Sequence, residues 1–260
     1  MDTEGGAAAK REGWTVIEAR WVGIDFGQTL CDTSPERTYW LIGDTSRELG
    51  EPELVDARCY RWRTMKEKYG SWSAIKEGHR DEIASYVFDG RPGAAEIFAC
   101  KEQRFTKLAD GCLEAIAYLR DQGIAVSVVA ELKRTFGPIG TDQVSRFLRA
   151  QNVIDYFDEL ISPLGKVDLR DNSVDERYRG LSKEVGDIYD LLAEDLAKRG
   201  IRTSEAVMVG DKEWSDLTPA QRRGFKAVHY MGFTDQGPSN ADATIRHFSE
   251  LKTVVKGVAR

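Results

Sequence analysis

Five short runs rich in β-branched and apolar residues punctuate the chain: Trp21 to Asp25, Ile124 to Ala130, Glu159 to Ser162, Ala206 to Gly210 and Lys226 to Tyr230. Each is bounded by turn residues, the pattern of strands buried on both faces. Between them lie segments whose apolar residues recur at three and four: Cys112 to Gln122, Gln143 to Ala150, Glu184 to Arg199 and Asp216 to Arg223. Gly123, Gly200 and Gly224 follow as helix stop signals. Strands that alternate with helices predict a parallel sheet covered on both faces. The crossovers of such a sheet are right-handed, and ligands gather at the carboxyl ends of its strands. Asp25, Ala130, Glu131, Ser162, Gly210 and Asp211 are thereby expected along one edge.

Thr33 to Lys107 breaks this rhythm. These residues, about 75 of them, hold no convincing strand and several helical stretches, which is too long for a loop. We expect a helical insertion over 33–107, a core formed by 18–32 and 108–260, and a flexible tail over 1–17. Pro163 to Leu181 is polar and without periodicity, and reads as a second insertion in loop conformation.

The chain of 260 residues is 41% hydrophobic and 31% charged, enough for one large core. Its net charge of −6 is spread among interspersed acids and bases, so no basic face advertises nucleic acid or an acidic membrane. No apolar run approaches a membrane span. The expected partner is a small-molecule substrate, with no nucleic acid and no membrane; oligomeric state is not legible. Cys31, Cys59, Cys100 and Cys112 show no metal spacing, and the opening lacks a secretory apolar region, which fits reduced thiols in a cytoplasm.

Candidate chemistry collects on carboxylates. WVGIDFGQTL ends an apolar strand on Asp25, and AVMVGDKEWSDL ends another on Gly210-Asp211 with Asp216 five residues on. Read locally, Asp25 also suits a turn, and Asp211 and Asp216 also suit helix-start acids. Taken together and in order, these segments resemble the haloacid dehalogenase (HAD) superfamily of hydrolases. That family's first motif is an apolar strand followed by Asp-x-Asp-x-Thr/Val-Leu/Ile; Asp25, Thr29 and Leu30 match, and Gly27 stands where the second Asp belongs. Its second motif, a Ser or Thr ending the next core strand, is replaced by Ala130, with Glu131 after it. Its third, a Lys six residues before a Tyr, is met by Lys183 and Tyr189, with Lys166 a competing candidate. Its fourth, Gly-Asp-x-x-x-x-Asp, is complete. The resemblance spans roughly residues 18–255 and implies an α/β fold: a Rossmann-like HAD core with a parallel sheet and an inserted helical (C1-type) cap.

The resemblance implies Asp25 as nucleophile, Lys183 as the balancing cation, and Mg²⁺ held by Asp25, the Gly27 carbonyl, Asp211 and Asp216. Hard oxygens of this kind suit that ion. Thr29, Ala130 and Glu131 are the expected substrate-side positions. The implied activity is phosphohydrolysis of a small phosphorylated metabolite without the general-acid Asp, which is worth on the order of 10² to 10⁴ in rate. A leaving group that needs no proton, an acid from elsewhere such as Glu131 or His79, or a site that binds without turnover are the three ways to read that gap. A carbon-substrate reaction of the dehalogenase or phosphonatase type is a further alternative, the latter needing a cap lysine such as Lys66, Lys68 or Lys76. Arg58, Arg61 and Arg63, interleaved with Tyr60 and Trp62, read as a solvated cap face, with the lining of a substrate entrance as the alternative. A rival resemblance, of GIDFGQT to the first phosphate loop of actin/Hsp70-like ATPases, requires a β-hairpin directly after Asp32.

Overall fold

A computed structural model describes residues 16–32, 35–70, 75, 79–133, 139–140 and 142–258. The central sheet has eight strands: β2 (Trp21–Ile24), β3 (Ala125–Val129), β4 (Glu159–Ser162), β5 (Gly165–Asp168), β6 (Val174–Asp175), β7 (Ala206–Gly210), β8 (Lys226–Tyr230) and β9 (Ala243–Ile245). Their order is β6-β5-β4-β3-β2-β7-β8-β9. Every pairing from β4 through β9 is parallel, whereas β4–β5 and β5–β6 are antiparallel. β2 lies centrally between β3 and β7, so Asp25 and Gly210 leave adjacent strands at the same edge.

Strand alternation sorts the core into two layers. Val22, Ile24, Val126, Val128, Val207, Val209 and Val228 pack to one side with Ile116 and Leu119 of the helix Cys112–Asp121. Trp21, Val129, Ile161 and Met208 pack to the other with Ile188, Leu192 and Leu196 of the helix Asp187–Lys198. Each such side chain, fully buried, is worth about 1.5–3 kcal/mol, and a one-residue slip would turn all of them around. Ser127 faces the second layer, where its Oγ accepts from the Trp21 indole at 3.1 Å, away from Ala130.

Between Asp32 and Leu108 the chain is helical. α1 (Pro35–Glu48), α2 (Val55–Tyr69), a short turn of helix at Arg80–Glu82 running into a π-helical turn Ile83–Val87, and α3 (Ala94–Phe105) make an inserted cap. It has its own apolar cluster of Leu41, Ile42, Trp62, Met65, Ile83, Val87, Phe88 and Phe98. Residues 71–74 and 76–78, Lys76 among them, lie outside the described residues. Because α1 rather than a hairpin follows Asp32, the ATPase-like reading fails.

Three expectations need correction. Pro163 to Leu181 is not a loop: Pro163 and Leu164 turn β4 back into β5, pairing Ser162 with Gly165, and β6 extends the sheet. Strands of four and two residues carry too little alternation to stand out, and only the pairing with β4 stabilises them. The expected tail also ends earlier. Residues 1–15 lie outside the described residues, but Ile17, 7% exposed, opens β1 (Ile17–Ala19), which pairs in parallel with β10 (Val255–Gly257). A further correction concerns Arg58 and Trp62 of α2, which are 1% and 2% exposed; the arginine pairs with Glu51 over the Phe88 ring instead of facing water.

Candidate active site

Asp25 follows β2 directly, and its backbone N–H still donates to Val209 O at 2.8 Å, so the strand's pairing fixes the residue that ends it. The chain then winds tightly: Leu30 N–H returns to Asp25 O and Cys31 N–H to Phe26 O. Within this loop Gln28 adopts φ 62°, a left-handed conformation that is uncommon for a residue other than glycine. Gly27, next to it, is not among the glycines of positive φ.

On the neighbouring strand, Gly210 has no side chain because Asp216 occupies the space: a Cβ there would lie 2.4 Å from the Asp216 Cβ. The close approach lets the turn after β7 fold back, with Asp216 Oδ2 accepting from Lys212 N at 3.0 Å. One ligand oxygen from each of Asp25, Asp211 and Asp216 lies within 4.8 Å of the others, and the three residues are 5%, 1% and 1% exposed.

Lys183 enters from the segment ahead of the helix Asp187–Lys198. Its ammonium contacts Asp25 Oδ1, Asp216 Oδ1 at 2.5 Å and Val129 O at 3.2 Å, so its three protons have three acceptors. Burial works against that charge, but Asp216 and Asp25 hold the amine protonated, well above the ordinary lysine range. Glu131 accepts from Lys183 N at 2.9 Å and from Ser182 Oγ at 3.2 Å and so fixes the loop that carries the lysine. Tyr189, six residues on, donates to Ser215 O at 3.0 Å and ties this helix to the Asp216 turn. Lys166 lies elsewhere, paired with Asp195 at 2.6 Å and Glu159 at 3.6 Å.

The carboxylates lack sufficient positive charge. Burial, with the Asp216 charge second, raises Asp25 against the pull of Lys183. Burial and the Asp25 charge push Asp211 up to about 7. Asp211 Oδ1 is buried with no hydrogen-bond partner among the described residues, and so is Thr29 Oγ1. An orphan oxygen in a cluster of buried acids is the condition under which a hard cation is stabilising. The donor set therefore fits a divalent ion.

Of the remaining expected positions, Ala130 is buried at the end of β3 and bonded through its N–H to Ile161 O. His79 stacks on Tyr69 at 3.6 Å between ring centroids and contacts Glu82 at 3.0 Å, all within the cap. Two residues at the site were not foreseen. His229, on β8, lies within hydrogen-bond reach of Asp211 O at 3.1 Å, and Gln236, in the segment after β8, donates to Asp211 Oδ2 at 3.0 Å. His229 had a detectable signal, a polar residue in an otherwise apolar strand; Gln236 had none. The opposite sheet edge holds a groove lined by Arg120, Arg170, Arg199, Asp158 and Glu159, whose charges pair with one another.

No family model matches the chain, and no curated protein matches it by sequence. Solved structures do. The HAD-hydrolase YfnB of Bacillus subtilis, bound to magnesium, is 18% identical with a TM-score of 0.59, over 91% of this chain and 98% of that one. A HAD phosphatase of Thermococcus onnurineus is 22% identical with a TM-score of 0.54, over 92% and 97%. A 2-haloacid dehalogenase of Pseudomonas syringae is 19% identical with a TM-score of 0.51, over 91% and 97%. The chain has the haloacid dehalogenase fold, a Rossmann-like core with an inserted helical cap. Since phosphatases and dehalogenases both share it, the fold does not select the reaction.

Proposed function

We propose that the protein is a Mg²⁺-dependent phosphohydrolase that acts on a small phosphorylated metabolite through an aspartyl-enzyme intermediate. The observation that carries this reading is the pairing of Lys183 with both Asp25 and Asp216 beside an Asp211 oxygen that lacks a partner. A dehalogenase-type reaction on carbon needs no cation at that oxygen. Asp25, the Gly27 carbonyl, Asp211 and Asp216 would hold the ion, which when bound supplies charge neutralisation for the phosphoryl oxygens.

Asp25 attacks phosphorus, the bond to the leaving oxygen breaks, and the phosphoryl group is carried on the Asp25 carboxylate until water attacks it and frees inorganic phosphate. Lys183 favours the ionised form of that carboxylate against burial and the Asp216 charge, and offsets charge as the phosphoryl group approaches. Gly27 supplies no proton to the leaving oxygen, and Glu131 is engaged by Lys183 N and Ser182. The substrate class that follows is one whose leaving group departs as a stable anion, an acyl or aryl phosphate in preference to an alkyl phosphate. Closure of the cap would exclude water during the first step.

The test is phosphate release from acyl, aryl and sugar phosphates with Mg²⁺ or EDTA, for the protein and for Asp25→Asn. Metal-dependent release that the substitution abolishes supports the reading. Release equal in the two proteins, or none from any substrate, removes it in favour of a carbon substrate or a HAD-fold binding protein.

A further inference from the structure

The segment between β8 and β9 has no regular secondary structure and is polar, with Thr234, Asp235 and Gln236 exposed. It nevertheless makes two directed bonds to the site. Gln236 Nε2 donates to Asp211 Oδ2 at 3.0 Å, and Thr234 Oγ1 donates to Gln28 Oε1 at 3.1 Å. The residue between them is tied down: Asp235 Oδ2 pairs with Arg246 just beyond β9 at 2.8 Å, and Asp235 Oδ1 accepts from Gly237 N at 2.9 Å. The segment thus spans from the Asp25 loop to the turn after β7 and is fastened to the end of the sheet.

Asp211 needs such a partner. Its backbone is placed by β7 and by the contact of its carbonyl with His229, but rotation about its terminal torsion is broad and leaves the carboxylate plane free. One donor on Oδ2 sets that plane and leaves Oδ1 as the oxygen without a protein partner. The donor's chemistry matters. A lysine or arginine there would compete with a cation, and an acid would repel Asp211; a neutral carboxamide orients the carboxylate without changing the charge of the site.

We propose that Gln236 is a positioning residue that orients Asp211 for the divalent cation, which makes the segment between β8 and β9 a functional part of the site. This rests on the metal-dependent reading above. Partners that orient ligating carboxylates typically contribute 10- to 100-fold in metal affinity.

Calorimetric titration of the full chain with Mg²⁺ tests it, on the natural protein, Gln236→Leu, Gln236→Asn and Asp211→Asn, alongside the melting temperature of each in EDTA. The expected result is Mg²⁺ binding weakened about 10-fold or more in Gln236→Leu with an unchanged metal-free melting temperature. Gln236→Asn, one methylene shorter, is expected to leave the defect in place. Affinity in Gln236→Leu equal to that of the natural protein, while Asp211→Asn has lost binding, overturns this proposal and leaves the metal reading standing. A natural protein that takes up no Mg²⁺, or an Asp211→Asn variant that binds as well as it does, overturns both.

Discussion

Lys166 and Asp195 pair at 2.6 Å across the β5 side of the sheet, which assigns Lys166 to structure and leaves Lys183 as the lysine of the carboxylate cluster. Arg177, Lys198 and the Tyr178 hydroxyl converge on the same Asp195 carboxylate. Burial opposes the charge on Asp195, but hydrogen bonds from Lys166, Arg177 and Lys198 hold its carboxyl well below the usual range. A depressed folded pKa gives stability that is present above the unfolded value of about 3.9 and is lost as pH falls through the folded one. Asp195→Asn is therefore expected to lose about 2 kcal/mol at neutral pH, with the deficit shrinking below about pH 3. Urea denaturation against pH measures it, and a deficit constant down to acid pH would contradict the assignment.

Lys183 shares its single charge between two buried carboxylates, Asp25 and Asp216. Lys183→Met leaves both unpaired, and the expected loss is about 3–5 kcal/mol of stability, together with a fall in turnover of roughly 10²-fold or more. Urea melts and initial rates on an aryl phosphate read the two effects.

The Asp211 shift has the opposite sign. A carboxyl raised by burial and by Asp25 to about 7 stabilises the fold below the ordinary carboxylate pKa, and that contribution is lost as pH rises through about 7. In EDTA the melting temperature should carry a declining component across this window, and Mg²⁺ should restore it most strongly at and above neutral pH. Asp211→Asn should remove both the slope and the response to metal. Equal Mg²⁺ stabilisation at pH values on either side of the window would contradict the account.

Much of this was legible beforehand because backbone and chemistry coincide. The five central strands announce themselves as apolar runs, and Asp25 and Asp211 sit where two of them end, so strand order alone brings the acids together. Lys183 was harder to assign, since Lys166 also lies within the chain's polar stretch and only the β4–β5 hairpin carries it away. β5, β6 and β1 were hidden because short strands depend on a partner rather than on their own pattern. Gln236 was invisible for a different reason. A side chain on an irregular segment is placed by anchors such as Asp235 and Arg246, which no periodicity encodes.

Under the proposed reaction, position 27 is where a general acid would act, and Gly27 brings no side chain there. Gly27→Asp is expected to raise turnover of alkyl phosphates by up to about 10²-fold, with little change for acyl and aryl phosphates that need no proton. Rates across a leaving-group series for both proteins give the comparison; an equal gain across the series would show that position 27 acts in some other way.

Under the proposed reaction, Asp25 should become covalently phosphorylated during turnover. Acid quench during turnover of an acyl or aryl phosphate, followed by peptide mass spectrometry, tests it most directly. The expected result is a phosphoryl adduct on Asp25 that forms with Mg²⁺ and is absent in Asp25→Asn. Turnover with no adduct on Asp25, or an adduct on another residue, would contradict it.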